Sequence, residues 1–339
     1  MNILKDELLE HQSFLRLTRE NPFEMTSSYQ IQQGEYTITL VDSGVLLIEP
    51  VNPGPMDIII SSGIHGNETA PIEICDNLVQ QILCETLTVK NRLLLIIGNP
   101  SAMNKGKRFE DENLNRLFCG KHQGKIHGEA KRAKNLERYT EAFFRERETA
   151  NRCHFDLHTA IRASKYEKFA IYPYQDGRKW KPEYLNFFKD SGINTILLAH
   201  QAAGTFSYFS SHQFQANAFT VELGQVKPFG ENNMSSFSEI TDTLKALISN
   251  SYEMTKKIDN RDFNLFQVVD EVVRHSDKEF SLNIDSNIAN FTTFDLGFQL
   301  TCDDNNGYRM KSEHHAIVFP NAAVPIGQRV ALIVYKTSI

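Results

Sequence analysis

The fold of this chain is decided by residues 58–71, which read IIISSGIHGNETAP. The uncharged run Ile58–Ile60 is typical of a buried strand, and the glycines around His65 indicate a tight turn after it. An amphipathic stretch, Pro71–Leu83, follows, and proline is favoured in the first turn of a helix. The stretch therefore predicts a strand, a loop and a helix, with His65 and Glu68 in the loop.

The same alternation continues along the chain. A second amphipathic stretch, Glu129–Thr149, predicts another helix. Further apolar runs with few charges predict buried strands at Leu93–Ile97, His154–Leu157, Phe169–Tyr172, Thr195–Leu198 and Ala218–Leu223. Buried strands that alternate with helices are typical of an α/β sheet covered on both faces.

The two ends of the chain have different patterns. Residues 1–30 are predicted to be a helical lead-in that ends near Asn21-Pro22, Tyr36–Glu49 to form a strand pair, and Ser235–Ile258 to form a further helix. Short alternating runs after that predict strands at Phe266–Val269, Ala316–Phe319 and Arg329–Tyr335, and the residues at 303–307 predict a turn. These patterns predict two domains, residues 1–258 and a smaller, mostly β domain at 259–339.

Composition excludes several classes of protein. The 339 residues are 41% hydrophobic and 23% charged, as in ordinary soluble proteins, and the net charge of -6 argues against nucleic-acid binding. No apolar stretch approaches the roughly 18–20 residues that span a bilayer. The five cysteines are odd in number and none has CxxC spacing, which favours a reduced, cytoplasmic protein.

Histidine and carboxylate residues indicate a metal site. His65 and Glu68 are three positions apart, so at a helix start they can face one point. His158, at the end of a predicted strand, offers a third ligand. A lone histidine after a strand is more often a structural residue, but the two segments together favour a site for one zinc ion. Three protein ligands and one open position are typical of catalytic zinc.

Two further carboxylates accompany these candidate ligands. Asp156 would point to the same side of a strand as His158 and could accept the second N–H of its imidazole, although it could instead cap the following turn. Glu222 ends an apolar run, where an unpaired carboxylate is costly. It could exchange a proton with water and with a leaving amine, or be a salt-bridged core residue.

Cations concentrate in the segment after Leu93–Ile97. In an acidic protein, Lys105, Lys107, Arg108 and Arg116 in one loop suggest an anion site, although a solvated face is the alternative. Arg162, four residues after His158, is a further candidate.

These motifs together resemble the succinylglutamate desuccinylase and aspartoacylase family, a branch of the zinc carboxypeptidase fold. The motifs are 63–71, Asn99-Pro100, 107–109, 114–116, 156–160 and 221–224. The resemblance implies an α/β fold: a zinc-carboxypeptidase-like mixed sheet flanked by helices, with a smaller C-terminal β domain. The runs 65–71 and 156–160 are most similar to the desuccinylase branch.

The resemblance also implies roles for individual residues. His65, Glu68 and His158 would bind zinc, and Glu222 would act as general base and acid. The residues that would hold substrate carboxylates or polarise the scissile carbonyl are Arg108, Asn115 and Arg116. The implied reaction is the hydrolysis of N-succinyl-L-glutamate to succinate and L-glutamate, which ends the succinyl route of arginine catabolism.

Two departures from the family pattern are visible. Asn113 replaces a frequent aspartate, which would remove a charge near Arg116, and Phe109 replaces a frequent tyrosine. Both changes are expected to tune the pocket without abolishing activity.

The alternatives are a deacylase of another N-acyl amino acid (aspartoacylase-like), a carboxypeptidase, or a non-catalytic binding protein that retains the metal. The expected partner is a small anionic substrate, with no nucleic acid and no membrane. The sequence leaves open a homo-oligomer and any substrate contact from the C-terminal domain.

Overall fold

The computed structural model describes residues 8, 12–25, 27–148, 151–275, 280–302 and 307–338. The helices in this part of the chain are α1 (Phe14–Glu20), α2 (Thr69–Leu83), α3 (Pro100–Asn104), α4 (Gly128–Arg145), α5 (Pro182–Asp190), α6 (Phe206–Phe214) and α7 (Ser238–Ile248). The strands are β1 (Tyr29–Gln33), β2 (Tyr36–Asp42), β3 (Val45–Pro50), β4 (Met56–Ser62), β5 (Arg92–Ile97), β6 (Asn151–Ala160), β7 (Phe169–Tyr172), β8 (Thr195–Leu198), β9 (Asn217–Gln225), β10 (Asn264–Val273), β11 (Ser281–Leu282), β12 (Thr292–Thr293), β13 (Thr301–Cys302), β14 (His315–Val318) and β15 (Arg329–Thr337).

Among the described residues, one mixed 13-stranded sheet organises the fold, in the order β1-β2-β3-β5-β4-β6-β9-β7-β8-β10-β15-β14-β12. Its central strands β5, β4, β6 and β9 are parallel, so their carboxyl ends lie at one edge. The runs predicted as buried strands all lie within observed strands, and helices cover the sheet. The α/β fold class, with its mixed sheet and β-rich C-terminal region, is confirmed.

The two faces of the sheet are buried against different helices. Along β4, Ile58 and Ile60 pack into the cluster that contains residues of α2, α5 and α7, whereas Ile59 packs into the cluster with residues of α4 and α6. Successive strand side chains point to opposite faces, which is why an uninterrupted apolar run is needed here. Each fully buried isoleucine contributes about 1.5–3 kcal/mol to this packing.

The C-terminal strands extend the same sheet. β10 pairs with β8 in parallel from Asn264 opposite Thr195, and β15 then pairs with β10 in antiparallel orientation. Because β7 pairs with β9 in antiparallel orientation, β8 and β10 run opposite to the central strands, and β15 runs in the same direction as they do. The division into domains at 258/259 stays a prediction.

Local predictions towards the two ends of the chain have different outcomes. The helical lead-in predicted to end near Asn21-Pro22 agrees with α1, which covers Phe14–Glu20, although residues 1–7 and 9–11 lie outside the described residues. Tyr29–Gln33 forms a strand that was not predicted, because it pairs with β2. The predicted turn at 303–307 lies outside the described residues except for Gly307.

The helix predicted at Ser235–Ile258 ends at Ile248 and begins at Ser238 after a 3₁₀ turn. Asn250 adopts a left-handed conformation with φ of 57°, and the N–H of Ser251 bonds back to the carbonyl of Ala246 at 2.8 Å. Asparagine in this conformation is a common helix stop. Across the described part of the chain, no helix combines the length and the apolar character that crossing a bilayer would demand.

Candidate active site

Backbone geometry after β4 places His65 and Glu68 at the carboxyl edge of the sheet. Gly63 has a φ of 59°, which favours glycine, and the chain turns sharply there. Gly66 lies against α3 so closely that a Cβ atom would meet the backbone nitrogen of Met103 at 2.2 Å. The turn therefore requires both glycines, and it leaves the side chains of His65 and Glu68 buried, with 3% and 1% exposed.

The three residues predicted as metal ligands come together at one point. His65 Nδ1 lies 2.9 Å from Glu68 Oε1, and His158 Nδ1 lies 2.8 Å from Glu68 Oε2. One ligand atom from each residue lies within 4.8 Å of the other two. His158 comes from β6, which is the neighbour of β4, so strand order decides this meeting.

The opposite nitrogen of each imidazole is hydrogen-bonded. His158 Nε2 donates to Asp156 Oδ2 at 2.9 Å, and His65 Nε2 donates to Asn113 Oδ1 at 2.9 Å. Asn113 Oδ1 also accepts from the backbone N–H of Asn115 at 2.9 Å, which identifies this atom as the oxygen. Each Nε2 therefore carries a hydrogen, and in a neutral ring the Nδ1 atom presents a lone pair towards Glu68.

This arrangement fits a cation. Burial lowers the pKa of His65 to about 4, so the ring is neutral near pH 7. A lone pair 2.9 Å from a carboxylate oxygen is repulsive unless a positive charge lies between the two atoms. Two imidazole nitrogens and a carboxylate are also the donor set that Zn²⁺ prefers in catalytic sites.

The carboxylate of Asp156 is fixed by hydrogen bonds to both of its oxygens. The hydroxyl of Ser61 on β4 donates to its Oδ1 at 2.5 Å, while its Oδ2 accepts from His158. Burial opposes ionisation of both partners, but the Asp156 and Glu68 carboxylates hold the pKa of His158 well above its usual range. The structure thus places Asp156 where it can orient His158, as the prediction requires.

Glu222 lies beside this group on β9. It is 7% exposed, and its Oε2 has no hydrogen-bond partner among the described residues. Burial raises the pKa of Glu222 to about 7, against the opposing effect of His158. A carboxyl group whose pKa lies near neutrality can both accept and return a proton. The structure gives no support to the alternative in which Glu222 is a salt-bridged core residue.

Arg108 reaches the candidate ligands from the loop after α3. Its Nη1 donates to Glu68 Oε1 at 2.6 Å, and its side chain remains 31% exposed. Glu129, at the start of α4, holds this loop by accepting from the backbone N–H of Glu110 at 2.6 Å.

Asp111, His127 and Glu129 form a second group with ligand atoms close together. His127 Nδ1 already accepts from the N–H of Ala130 at 3.3 Å, and Glu129 accepts from the loop backbone. We therefore assign these residues to the support of the loop that carries Arg108.

Asn115 and Arg116 lie in a 3₁₀ turn at Leu114–Arg116. Asn115 Oδ1 accepts from the backbone N–H of Phe206 at 2.9 Å, and its Nδ2 lies 3.5 Å from His158 Nε2. Arg116 Nη1 donates to the carbonyl of Asn115 at 2.8 Å. Burial, together with the charges of Arg329 and Arg108, lowers the pKa of Arg116 to about 9.

A cavity of about 390 Å³ connects these groups with the C-terminal strands. The predicted residues that line it are His65, Arg108, Asn115, Arg116, His158, Arg162 and Glu222. Arg162 lies at the rim, where its guanidinium donates to the carbonyl of Ser286. Its predicted role in substrate binding stays a prediction.

Sequence reasoning missed three features of the site. Asn113 contacts His65, whereas the sequence placed its effect near Arg116. Glu271 on β10 and Arg329 on β15 also line the cavity. For Arg329 the sequence offered one signal, a charged residue at the start of the apolar strand predicted at Arg329–Tyr335.

The fold is a mixed α/β sheet with the candidate site at one edge, and comparisons with known proteins assign it to a class of hydrolases. The family model for the succinylglutamate desuccinylase/aspartoacylase catalytic domain matches residues 55–248, and that for the AstE/AspA barrel-sandwich hybrid domain matches residues 261–337. The chain belongs to the succinylglutamate desuccinylase/aspartoacylase family, so the predicted resemblance is confirmed.

Individual relatives agree with this membership. A succinylglutamate desuccinylase from Shewanella piezotolerans is 43% identical over 332 residues, which cover 96% of each chain. Among solved structures, the succinylglutamate desuccinylase from Vibrio parahaemolyticus has a TM-score of 0.84 and 34% identity, and covers 96% of this chain and 95% of its own. The enzyme of that name from Chromobacterium violaceum has the same TM-score and identity, with coverage of 96% and 98%.

Proposed function

We propose that this chain is a zinc-dependent amidohydrolase that converts N-succinyl-L-glutamate to succinate and L-glutamate. The observation that carries the proposal is the convergence of His65, Glu68 and His158 beside Glu222, an unpaired carboxyl group whose pKa is raised to about 7. The names of relatives that match 96% of the chain support the substrate. The substrate has three carboxylates, and several arginines line the cavity.

Each group of residues in the site has its own role in the proposed reaction. A zinc ion held by His65, Glu68 and His158 would polarise the scissile carbonyl and acidify a water molecule. Glu222 takes a proton from the attacking water as the new C–O bond forms, and gives it to the amine nitrogen as the C–N bond breaks.

The charge of Arg108 lies beside Glu68 and is available to the oxygen on which negative charge develops. Such a donor contributes roughly 2.7–4 kcal/mol to the stabilisation of the transition state.

The proposal is tested by incubating zinc-loaded protein with N-succinylglutamate, with and without a chelator, while glutamate release is followed. We expect release that stops with the chelator and returns when zinc is added. Absence of release in the zinc-loaded protein would contradict the proposal.

A panel of N-acyl amino acids separates the alternatives. We expect N-acetylaspartate, which has two carboxylates, to be a poorer substrate than N-succinylglutamate. A preference for N-acetylaspartate would favour the aspartoacylase-like alternative, and binding of these compounds without turnover would favour a non-catalytic protein.

The place of the reaction in metabolism is also part of the proposal. We place it at the end of the succinyl route of arginine catabolism, in the cytoplasm. All five cysteines lie among the described residues and none forms a disulfide, which is consistent with a reducing compartment.

A further inference from the structure

Two arginines that are far apart in the sequence, Arg116 and Arg329, line the same cavity. Arg116 ends the 3₁₀ turn Leu114–Arg116, and Arg329 begins β15. Both line the cavity, and the Arg329 side chain is 23% exposed. Burial and the positive charges of Arg329 and Arg108 lower the pKa of Arg116 to about 9.

Their positive charges are only partly compensated. Within the described part of the chain, Arg116 makes one hydrogen bond, to the neutral carbonyl of Asn115, and Arg329 makes one polar side-chain contact, with Glu271 Oε1 at 3.5 Å. That distance exceeds the usual 2.7–3.2 Å of an N–H···O bond. Two enclosed cations therefore share one loosely held carboxylate, which leaves a positive surplus that an anion can neutralise.

The position of the pair relative to the reacting groups suggests which anion this is. Arg108 contacts Glu68 directly, whereas among the described residues neither Arg116 nor Arg329 hydrogen-bonds to a candidate zinc ligand or to Glu222. Arg329 and Glu271 also lie on two strands that pair with each other, β15 and β10. Guanidinium groups bind carboxylates through a planar fork of donors.

We propose that Arg329 of the C-terminal strands, positioned by Glu271, joins Arg116 in binding a substrate carboxylate that lies away from the scissile amide. The C-terminal strands then contribute to substrate choice: they favour N-acyl amino acids with a distal carboxylate over those without one. This inference rests on the proposed hydrolysis of N-succinylglutamate.

The test compares wild type, Arg329→Gln and Arg329→Lys on N-succinylglutamate and on three analogues that each lack one carboxylate. The analogues are N-acetylglutamate, N-succinylglutamine and N-succinyl-γ-aminobutyrate. Arg261→Gln is the matched control, because Arg261 is exposed and pairs with Asp259 outside the cavity. Zinc content and thermal unfolding of each variant establish that it is folded.

We expect Arg329→Gln to lower kcat/KM for N-succinylglutamate by roughly 10- to 100-fold, the effect of losing hydrogen bonds between charged groups, mostly through KM. The loss should be small on the one analogue that lacks the carboxylate bound by the pair. Arg329→Lys should be intermediate, because it keeps the charge without the fork. Arg261→Gln should match wild type.

Equal losses on all four compounds, or no loss on any, would overturn the inference while leaving the proposed function intact. Wild-type protein that releases no glutamate would overturn the proposed function instead. In that case the affinities of wild type and Arg329→Gln for succinate and for glutamate are compared by titration. Weaker binding of either compound to the variant supports carboxylate binding by Arg329, and unchanged binding of both refutes it.

Discussion

His158 and Glu222 are register partners on the adjacent parallel strands β6 and β9. Partners on neighbouring strands point to the same face of a sheet, so the imidazole and the carboxyl group leave the sheet side by side. This register couples a candidate metal ligand to the candidate general base without any loop between them. A bulge follows directly, between His158 and Ala160, where the pairing shifts.

Glu222→Gln should abolish most activity while the protein keeps its zinc. The amide cannot accept the proton of the attacking water, and general acid–base catalysis typically contributes about 10²–10⁴-fold. The measurements are kcat with N-succinylglutamate and zinc content. Glu231→Gln, at an exposed position, is the matched control and should behave like wild type. Full activity in Glu222→Gln would remove Glu222 from the mechanism.

In metal-free protein, Glu222→Gln should also change stability with pH. The pKa of Glu222 is about 7 in the folded protein, above the value of about 4.3 for a free side chain. The folded state therefore binds the proton more tightly, and wild type loses stability as the pH rises from about 4 to about 7. The glutamine variant lacks this loss.

The gain in stability from Glu222→Gln should accordingly be near zero at pH 4 and reach about 3–4 kcal/mol at pH 8, given ~1.4 kcal/mol per pKa unit. Thermal unfolding of chelator-treated proteins at several pH values measures the difference. A gain that is independent of pH would show that burial of the charged form is not the cause.

Asn113→Ala should weaken zinc binding. The amide oxygen accepts from His65 Nε2 and fixes the ring orientation, and loss of such partners typically costs 10–100-fold in metal affinity. Competition with a chromophoric chelator measures the affinity, and Asn104→Ala, at an exposed position, is the control. Asn113→Asp should bind zinc at least as tightly as wild type, because a carboxylate makes the imidazole a stronger donor. An unchanged affinity in Asn113→Ala would contradict this role.

Gly66→Ala should destabilise the protein and disturb the site. The added Cβ would meet backbone atoms of α3 at 2.2–2.4 Å, and backbone cannot move aside as a flexible side chain can. Overpacking of this kind typically costs about 1–3 kcal/mol. Thermal unfolding and zinc affinity both report the effect. Gly128→Ala is the control, because a Cβ there meets nothing within 4 Å, and it should be neutral or slightly stabilising. Equal behaviour of the two variants would refute the packing argument.

Sequence predictions were accurate where structure depends on neighbouring residues, and they failed where it depends on contacts between distant segments. The strands at Ile58–Ile60 and Phe169–Tyr172 were predicted because burial of both faces requires an uninterrupted run of uncharged, mostly apolar residues, which is visible in the sequence. The end of α7 was missed because a left-handed residue at Asn250 stops the helix within a stretch that otherwise suits one. Tyr29–Gln33 was missed because its strand conformation depends on its partner β2.

The sequence by itself determined the strand–turn–helix geometry that places His65 beside Glu68, and it indicated His158 and Glu222 at strand ends. Only the tertiary structure decided that Asn113 contacts His65 and that Arg116 and Arg329 line the same cavity. The physical reason is that periodicity and turn chemistry act over a few residues. Contacts between distant segments depend instead on strand order and loop paths, and these are settled by packing of the whole sheet.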